Sequence, residues 1–204
     1  MFILRSVIIW FLITTGINAY LMSLPMLVLR KRAYPARYVI EQSNRIDFQS
    51  NVECAAFSTA YLLRHFGVEE KGDALYTVFP SKTKSGTVYP KGIRTVLKQK
   101  GFQTNYYKGT IHTLKYEVSK GTPVIANIKV NMNKHDLHFV PVVGYDEEYI
   151  YLSESLKHLA NVEENGFNRK IPIAEFKKLW DIKRLHFPIY SNTYITVEPK
   201  REIL

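Results

Sequence analysis

Apolar positions along the chain fall into three successive patterns. Residues 6–29 carry no charge and include the run Val7-Ile8-Ile9-Trp10-Phe11-Leu12-Ile13. At 1.5 Å per residue that length matches a bilayer core of about 30 Å, so one N-terminal transmembrane helix is expected. The middle of the chain has mainly helical spacing. A mostly apolar stretch runs from Cys54 to Gly67, Ile93, Val96 and Leu97 share a face behind Pro90, and Leu114 and Val118 lie four apart. Between the last two, Phe102 to Tyr107 alternates as a strand. From Pro123 onward strands dominate: Val124 to Val130, His138 to Tyr145, Tyr149 to Leu152 and Tyr194 to Val197 are β-rich, with Asp146-Glu147-Glu148 as a hairpin turn. One amphipathic helix, residues 173–182, interrupts them. Helices first and an antiparallel sheet after them make an α+β domain over residues 33–204, behind an anchor at residues 1–32.

The stretch from Cys54 to Gly67 holds the only cysteine of the chain. Ser50 and Glu53 have capping-box spacing, which starts the helix at about Asn51 and places Cys54 in its first turn. Free backbone N–H groups and the positive end of the helix dipole favour a thiolate there. A lone cysteine among apolar residues is more often a small core side chain than a nucleophile. With one cysteine there is no internal disulfide and no multi-cysteine zinc site.

Charge narrows the partners. The formal net charge of +10 includes Arg5, Arg30, Lys31 and Arg32. The remainder has no Arg-rich helix and no long basic run, so nucleic-acid binding is not favoured, whereas an anionic membrane surface suits it. Arg30, Lys31, Arg32 and Arg37 outnumber Arg5 across the uncharged run, which by the positive-inside rule puts a single-pass protein's domain in the cytoplasm. An uncleaved anchor is favoured over a signal peptide, because the apolar run continues past Ala19.

A thiol hydrolase needs an imidazole as well as a thiolate. His138 is the best candidate, because it opens the most apolar strand of the chain; His135 lies in the polar loop before it. A cysteine at a buried helix start, then Gly121-Thr122-Pro123-Val124-Ile125, then His138-Phe139-Val140-Pro141-Val142-Val143-Gly144-Tyr145-Asp146, resembles the papain-like cysteine peptidases. Within them it looks most like the bacteriocin-processing, double-glycine branch, over about residues 49–155. The resemblance implies Cys54 as nucleophile, His138 as its imidazole partner, and a carboxylate about sixteen residues after the histidine. That count reaches Glu154, with Asp146 as the alternative. It also implies Gln49 and the Cys54 backbone N–H as donors to an oxyanion. No cofactor or metal is implied.

The expected function is therefore a membrane-anchored cysteine peptidase acting on a peptide or protein amide bond. The residues 81–89 and 131–137 are the loops expected to shape the substrate pocket. The double-glycine branch often sits on a transporter; this chain has no nucleotide-binding Gly-rich loop, so a transporter would be a separate partner. The same thiol chemistry also fits an acyltransferase, and the fold alone fits a non-catalytic binding module.

Overall fold

The computed structural model describes residues 2–133, 136–182 and 190–200. His135, which the sequence places in the polar loop before His138, lies outside the described residues. In chain order the elements are α1 (Phe2–Met22), β1 (Met26–Leu27), β2 (Tyr38–Val39), α2 (Cys54–His65), α3 (Gly72–Thr77), α4 (Pro90–Gln99), β3 (Phe102–Lys108), α5 (Ile111–Val118), β4 (Val124–Lys129), β5 (Leu137–Tyr145), β6 (Tyr149–Leu152), β7 (Arg169–Pro172), α6 (Ile173–Trp180) and β8 (Thr193–Pro199). The helix-then-strand order expected from the change of period is present.

The strands form one sheet in the order β1-β3-β8-β4-β5-β6-β7, with β2 against β5. Every pairing is antiparallel except β1 with β3. Alternation along the central strands sends side chains to two apolar layers. Ile125, Phe139, Ile195 and Val197 pack with Leu62 and Leu63 of α2 and Ile93 and Leu97 of α4. Ala126, Ile128, Val140 and Val142 pack with Leu114 and Val118 of α5 and Phe176, Leu179 and Trp180 of α6. Because β4 and β5 are covered on both faces, they read in the sequence as nearly continuous apolar runs.

Pro141 lies in a central strand although it has no N–H to give. Its carbonyl accepts from Ser153 N (3.0 Å) just past the end of β6. The irregularity expected of this strand falls between Val142 and Gly144. Gly144 has its own steric reason: a Cβ there would lie 2.8 Å from the Tyr38 carbonyl oxygen and 2.9 Å from the Tyr151 ring. Only a residue without a side chain lets β2 approach β5 this closely.

Two expectations are corrected. The helix predicted from Asn51 begins at Cys54, and its N-cap Glu53 makes no side-chain cap. The Glu53 carboxylate instead turns back to accept from Asn51 N (2.7 Å), so the capping box with Ser50 does not form. The uncharged N-terminal run is not one helix either. It ends as a helix at Met22, Ser23 takes a left-handed φ of 68°, and Met26 and Leu27 pair with Tyr107 and Lys108. Among the described residues no helix is long and apolar enough to cross a membrane. The side chains of Val7, Ile8, Ile9, Leu12 and Ile13 on α1 are exposed.

Candidate active site

The site is assembled where the N-terminus of α2 meets the start of β5 and the segment leaving β6. Cys54 is the first residue of α2. The Glu53 carbonyl accepts from Ala56 N (2.8 Å) and Phe57 N (3.1 Å), which closes the first turn behind it. The backbone N–H groups of Cys54 and Ala55 precede those bonds, in the part of a helix that leaves its donors unpaired. The later start of α2 therefore brings the thiol closer to unpaired donors than the sequence reading had placed it.

His138 is the second residue of β5 and is 1% exposed. Its Nε2 lies 2.7 Å from Glu154 Oε1, and the Cys54 thiol is near enough to favour the protonated ring. With Nε2 committed to the carboxylate, Nδ1 is the nitrogen left for the thiol. Glu154 is fully buried. Its Oε1 also accepts from Leu156 N (2.8 Å), and its Oε2 accepts from Arg169 Nη1 (2.8 Å).

Burial by itself pushes an imidazole towards its neutral form. Here the charge and hydrogen bond of Glu154, together with the neighbouring Cys54 thiol, outweigh it, and His138 is pushed up to about 10. Burial likewise works against the Glu154 carboxylate. The imidazolium, the Leu156 N–H and the Arg169 guanidinium hold it down at about 2. Histidine and glutamate are thus held as an ion pair, each in the charge state its burial opposes.

Asp146, the alternative carboxylate, serves the hairpin. It accepts from Glu148 N (2.8 Å), Tyr149 N (2.6 Å) and the Tyr151 hydroxyl, at the opposite end of β5 from His138. Gln49 is tied to the residue after Glu154. Its N–H donates to the Ser155 carbonyl (2.9 Å), its Oε1 accepts from Ser155 Oγ (2.6 Å), and its Nε2 donates to the Asn51 carbonyl (2.6 Å). It stands in the loop entering α2 but is not among the residues that wall the cleft described next.

Cys54 opens onto a cleft of about 310 Å³. Thr83, Ser85, Thr87, Val88 and Tyr89 line it from one loop, and Asp136 and Leu137 from another, the two loops expected to shape a pocket. Phe139, Asn127, Ile182 and Tyr190 complete most of the wall. His138, Glu154 and Arg169 are closed off from solvent, so the thiol is the member of the set that meets the cleft.

Two polar residues of this region escaped the sequence reading. Arg169 begins a short Arg-Lys-Ile-Pro strand, a pattern that reads as a solvated edge, yet its side chain is buried against Glu154. Asn127 sits in the middle of an apolar strand. It is 2% exposed, and its Oδ1 has no hydrogen-bond partner. A polar residue inside an otherwise apolar strand was the available signal, and it is the same signal that picked out His138.

Among the described residues, no group of three or more His, Cys, Asp or Glu side chains is placed to hold a metal ion. The chemistry open to this arrangement is that of a buried thiol–imidazole–carboxylate set with backbone donors at a helix N-terminus.

Comparison with known proteins gives the family and the fold. The family described as the Peptidase_C39 like family matches residues 39–184. No curated protein matches the chain. The fold is similar to the peptidase domain of Streptococcus ComA, a bi-functional ABC transporter involved in a quorum-sensing pathway. That match has TM-score 0.59 and 14% identity, and covers 78% of this chain and 99% of that one. A putative C39-like peptidase from Bacillus anthracis matches with TM-score 0.57 at 17% identity, over 77% of this chain and 96% of that one. A double glycine motif protease from an AMS/PCAT transporter, solved in complex with the leader peptide, matches with TM-score 0.50 at 18% identity, over 79% and 97%.

Proposed function

Since the chain belongs to the Peptidase_C39 like family, we propose that it is a cysteine peptidase that cleaves a peptide or protein amide bond with Cys54 as nucleophile. The observation that carries this reading is the Cys54–His138–Glu154 set, in which one buried imidazole is hydrogen-bonded to a carboxylate and kept protonated by that carboxylate and by the neighbouring Cys54 thiol.

The steps follow from the charge states. With His138 holding the proton, the Cys54 sulfur attacks the scissile carbonyl carbon, and the negative charge moves to the carbonyl oxygen. The Cys54 backbone N–H is placed to donate to that oxyanion, and Gln49 is proposed as a second donor once its amide turns from Asn51. As the C–N bond breaks, the imidazolium gives its Nδ1 proton to the departing amine, leaving an acyl thioester and a neutral imidazole. Water then loses a proton to His138 as it attacks the thioester. The second tetrahedral intermediate expels the Cys54 thiolate and releases a carboxylic acid. Glu154 accepts from Nε2–H throughout, holding the ring in the orientation both proton transfers need.

The substrate we propose is an extended peptide segment laid in the cleft. A related protease was solved with a leader peptide, and that supports the choice of substrate class. The exposed apolar side chains of α1, followed by Arg30, Lys31 and Arg32, support a further proposal that residues 6–29 hold the enzyme at a membrane, with the domain on the cytoplasmic side and beside a separate transporter. Incubating the full chain in detergent with a mixture of unfolded polypeptides tests the activity. Cleavage that disappears in Cys54→Ala supports the reading, and a wild-type chain that cleaves nothing while transferring acyl groups to added amines would assign it to acyl transfer instead.

A further inference from the structure

Glu154 is anchored from two sides, and only one of them belongs to the proposed chemistry. Its Oε1 faces His138 Nε2, while its Oε2 accepts from Arg169 Nη1 at 2.8 Å. Arg169 is 6% exposed and pairs with Leu152 across β6 and β7. The residue before it, Asn168, clamps the Glu154 backbone: Glu154 N donates to Asn168 Oδ1 (2.7 Å) and Asn168 Nδ2 donates to the Glu154 carbonyl (2.9 Å). Glu154 has left β6 and sits on no strand of its own. Two consecutive residues of β7 and its approach therefore hold both its backbone and its carboxylate.

We propose that Arg169 is a positioning residue for the reaction, fixing the Glu154 carboxylate so that Oε1 is presented to His138. A glutamate side chain has three rotatable bonds, and with Oε1 alone engaged, by His138 and the Leu156 N–H (2.8 Å), the carboxylate could still pivot about that oxygen. Occupying Oε2 with a guanidinium, itself locked in the paired strand β7, removes that freedom. The inference rests on the peptidase reading given above and adds to it a residue that touches no reacting atom.

Two effects of Arg169 on His138 have opposite signs, which makes the role measurable. Arg169 is a positive charge near an imidazolium, and as a charge alone it would lower the basicity of His138. As a positioning residue it raises that basicity by keeping the carboxylate aligned. The titratable and charged groups around His138 are the Cys54 thiol on α2 and Glu154 after β6, with Arg169 on β7 against the far side of Glu154. If positioning dominates, removing Arg169 moves the His138 titration down. If charge dominates, removal moves it up or leaves it in place.

The test is the pH profile of peptide cleavage by the full chain, alongside the rate of Cys54 alkylation by iodoacetamide at about pH 6. Arg169→Met and Arg169→Gln are expected to bring the alkaline limb of the profile down by about one pH unit. They should lower kcat by about tenfold or more, with KM little changed. Arg169→Lys keeps a cation within reach of Oε2 and is expected to stay within about threefold of wild type. An alkaline limb that stays or rises in Arg169→Gln, or a loss in Arg169→Lys as large as in Arg169→Met, overturns the proposal. Wild-type protein whose Cys54 is not alkylated faster than an ordinary thiol would instead defeat the peptidase reading itself. Should the variants fail to fold, the native chain gives a second readout. Alkylation of Cys54 is expected to shift the Arg169 guanidinium ¹⁵N resonances through His138 and Glu154, and unshifted resonances would overturn the coupling.

Discussion

The Nε2 of His138 and the Oε1 of Glu154 are 2.7 Å apart, with 1% and 0% of the two side chains exposed. The two residues are sixteen apart in sequence and come from β5 and the segment following β6. A pair of opposite charges taken this far out of water costs several kcal/mol of desolvation per ion and persists only if each charge is fully engaged. Both are: the imidazole by Cys54 and Glu154, the carboxylate by His138, Leu156 N and Arg169.

Removing the carboxylate charge should therefore have two consequences. Glu154→Gln leaves Arg169 buried without its counter-charge, and a loss of about 3 kcal/mol of stability in urea unfolding is expected. The variant should still fold at low temperature, and kcat/KM for peptide cleavage should fall by about tenfold to a hundredfold. Wild-type kinetics in this variant would transfer the orienting role away from Glu154.

The charge states predict a pH window for stability. His138 is raised from an ordinary 6.5 to about 10, so its contribution is complete below about 6.5 and is lost as pH rises through 10. Glu154 is lowered from 4.5 to about 2, so its contribution is complete above about 4.5 and is lost as pH falls towards 2. Both are complete between about pH 4.5 and 6.5. Urea midpoints are expected to be highest there and to decline towards pH 9.5, and His138→Gln should flatten the decline. An equally steep decline in that variant would place its cause outside the pair.

At Gly144 the expected effect is purely steric. Gly144→Ala puts a methyl group 2.8 Å from the Tyr38 carbonyl, where β2 crosses β5. A destabilisation of about 1–3 kcal/mol is expected, as for other overpacked sites. An unchanged melting temperature would mean that β2 contributes little to the sheet.

The N-terminal region separates into two parts with different expected behaviour. A chain beginning at Ala33 loses β1, whose pairing with β3 involves two residues at the sheet edge. It should still unfold cooperatively, since both apolar layers remain intact. The full chain is expected to float with phospholipid vesicles and the shortened one to remain in the aqueous fraction. Flotation of both would put the membrane-binding surface on the domain.

How far these features were legible in the sequence follows from the range of the forces involved. The β4–β5–β6 meander was readable because Pro123-Val124 to Tyr151-Leu152 alternates or runs apolar between turn residues. Cys54 and His138 stood out as candidates because each is a polar, reactive side chain in an apolar stretch, and Glu154 was reached only through the resemblance, which sets the offset counted from His138. The start of α2 was misjudged because Glu53 offered a local hydrogen bond that the folded chain gives to Asn51 instead of a cap. Arg169 was missed because a cation in a four-residue strand looks solvated until the carboxylate it neutralises is known. Whether residues 6–29 form a single helix could not be read from hydropathy. Pro25, two residues past Ser23, was a stop signal that the uncharged run outweighed, and the pairing of Met26 and Leu27 with β3 depends on a strand about eighty residues away.

The proposed catalysis depends on the Cys54 thiol sharing a proton with the His138 imidazole. The rate of Cys54 alkylation by iodoacetamide at about pH 6, compared between wild type and His138→Gln and read by intact-protein mass, addresses that sharing without a substrate. A thiol of ordinary acidity reacts slowly at this pH. Wild-type labelling at least about tenfold faster than in His138→Gln is the expected result. Equal rates in the two proteins, with both folded, would contradict the pairing and with it the assignment of Cys54 as a nucleophile.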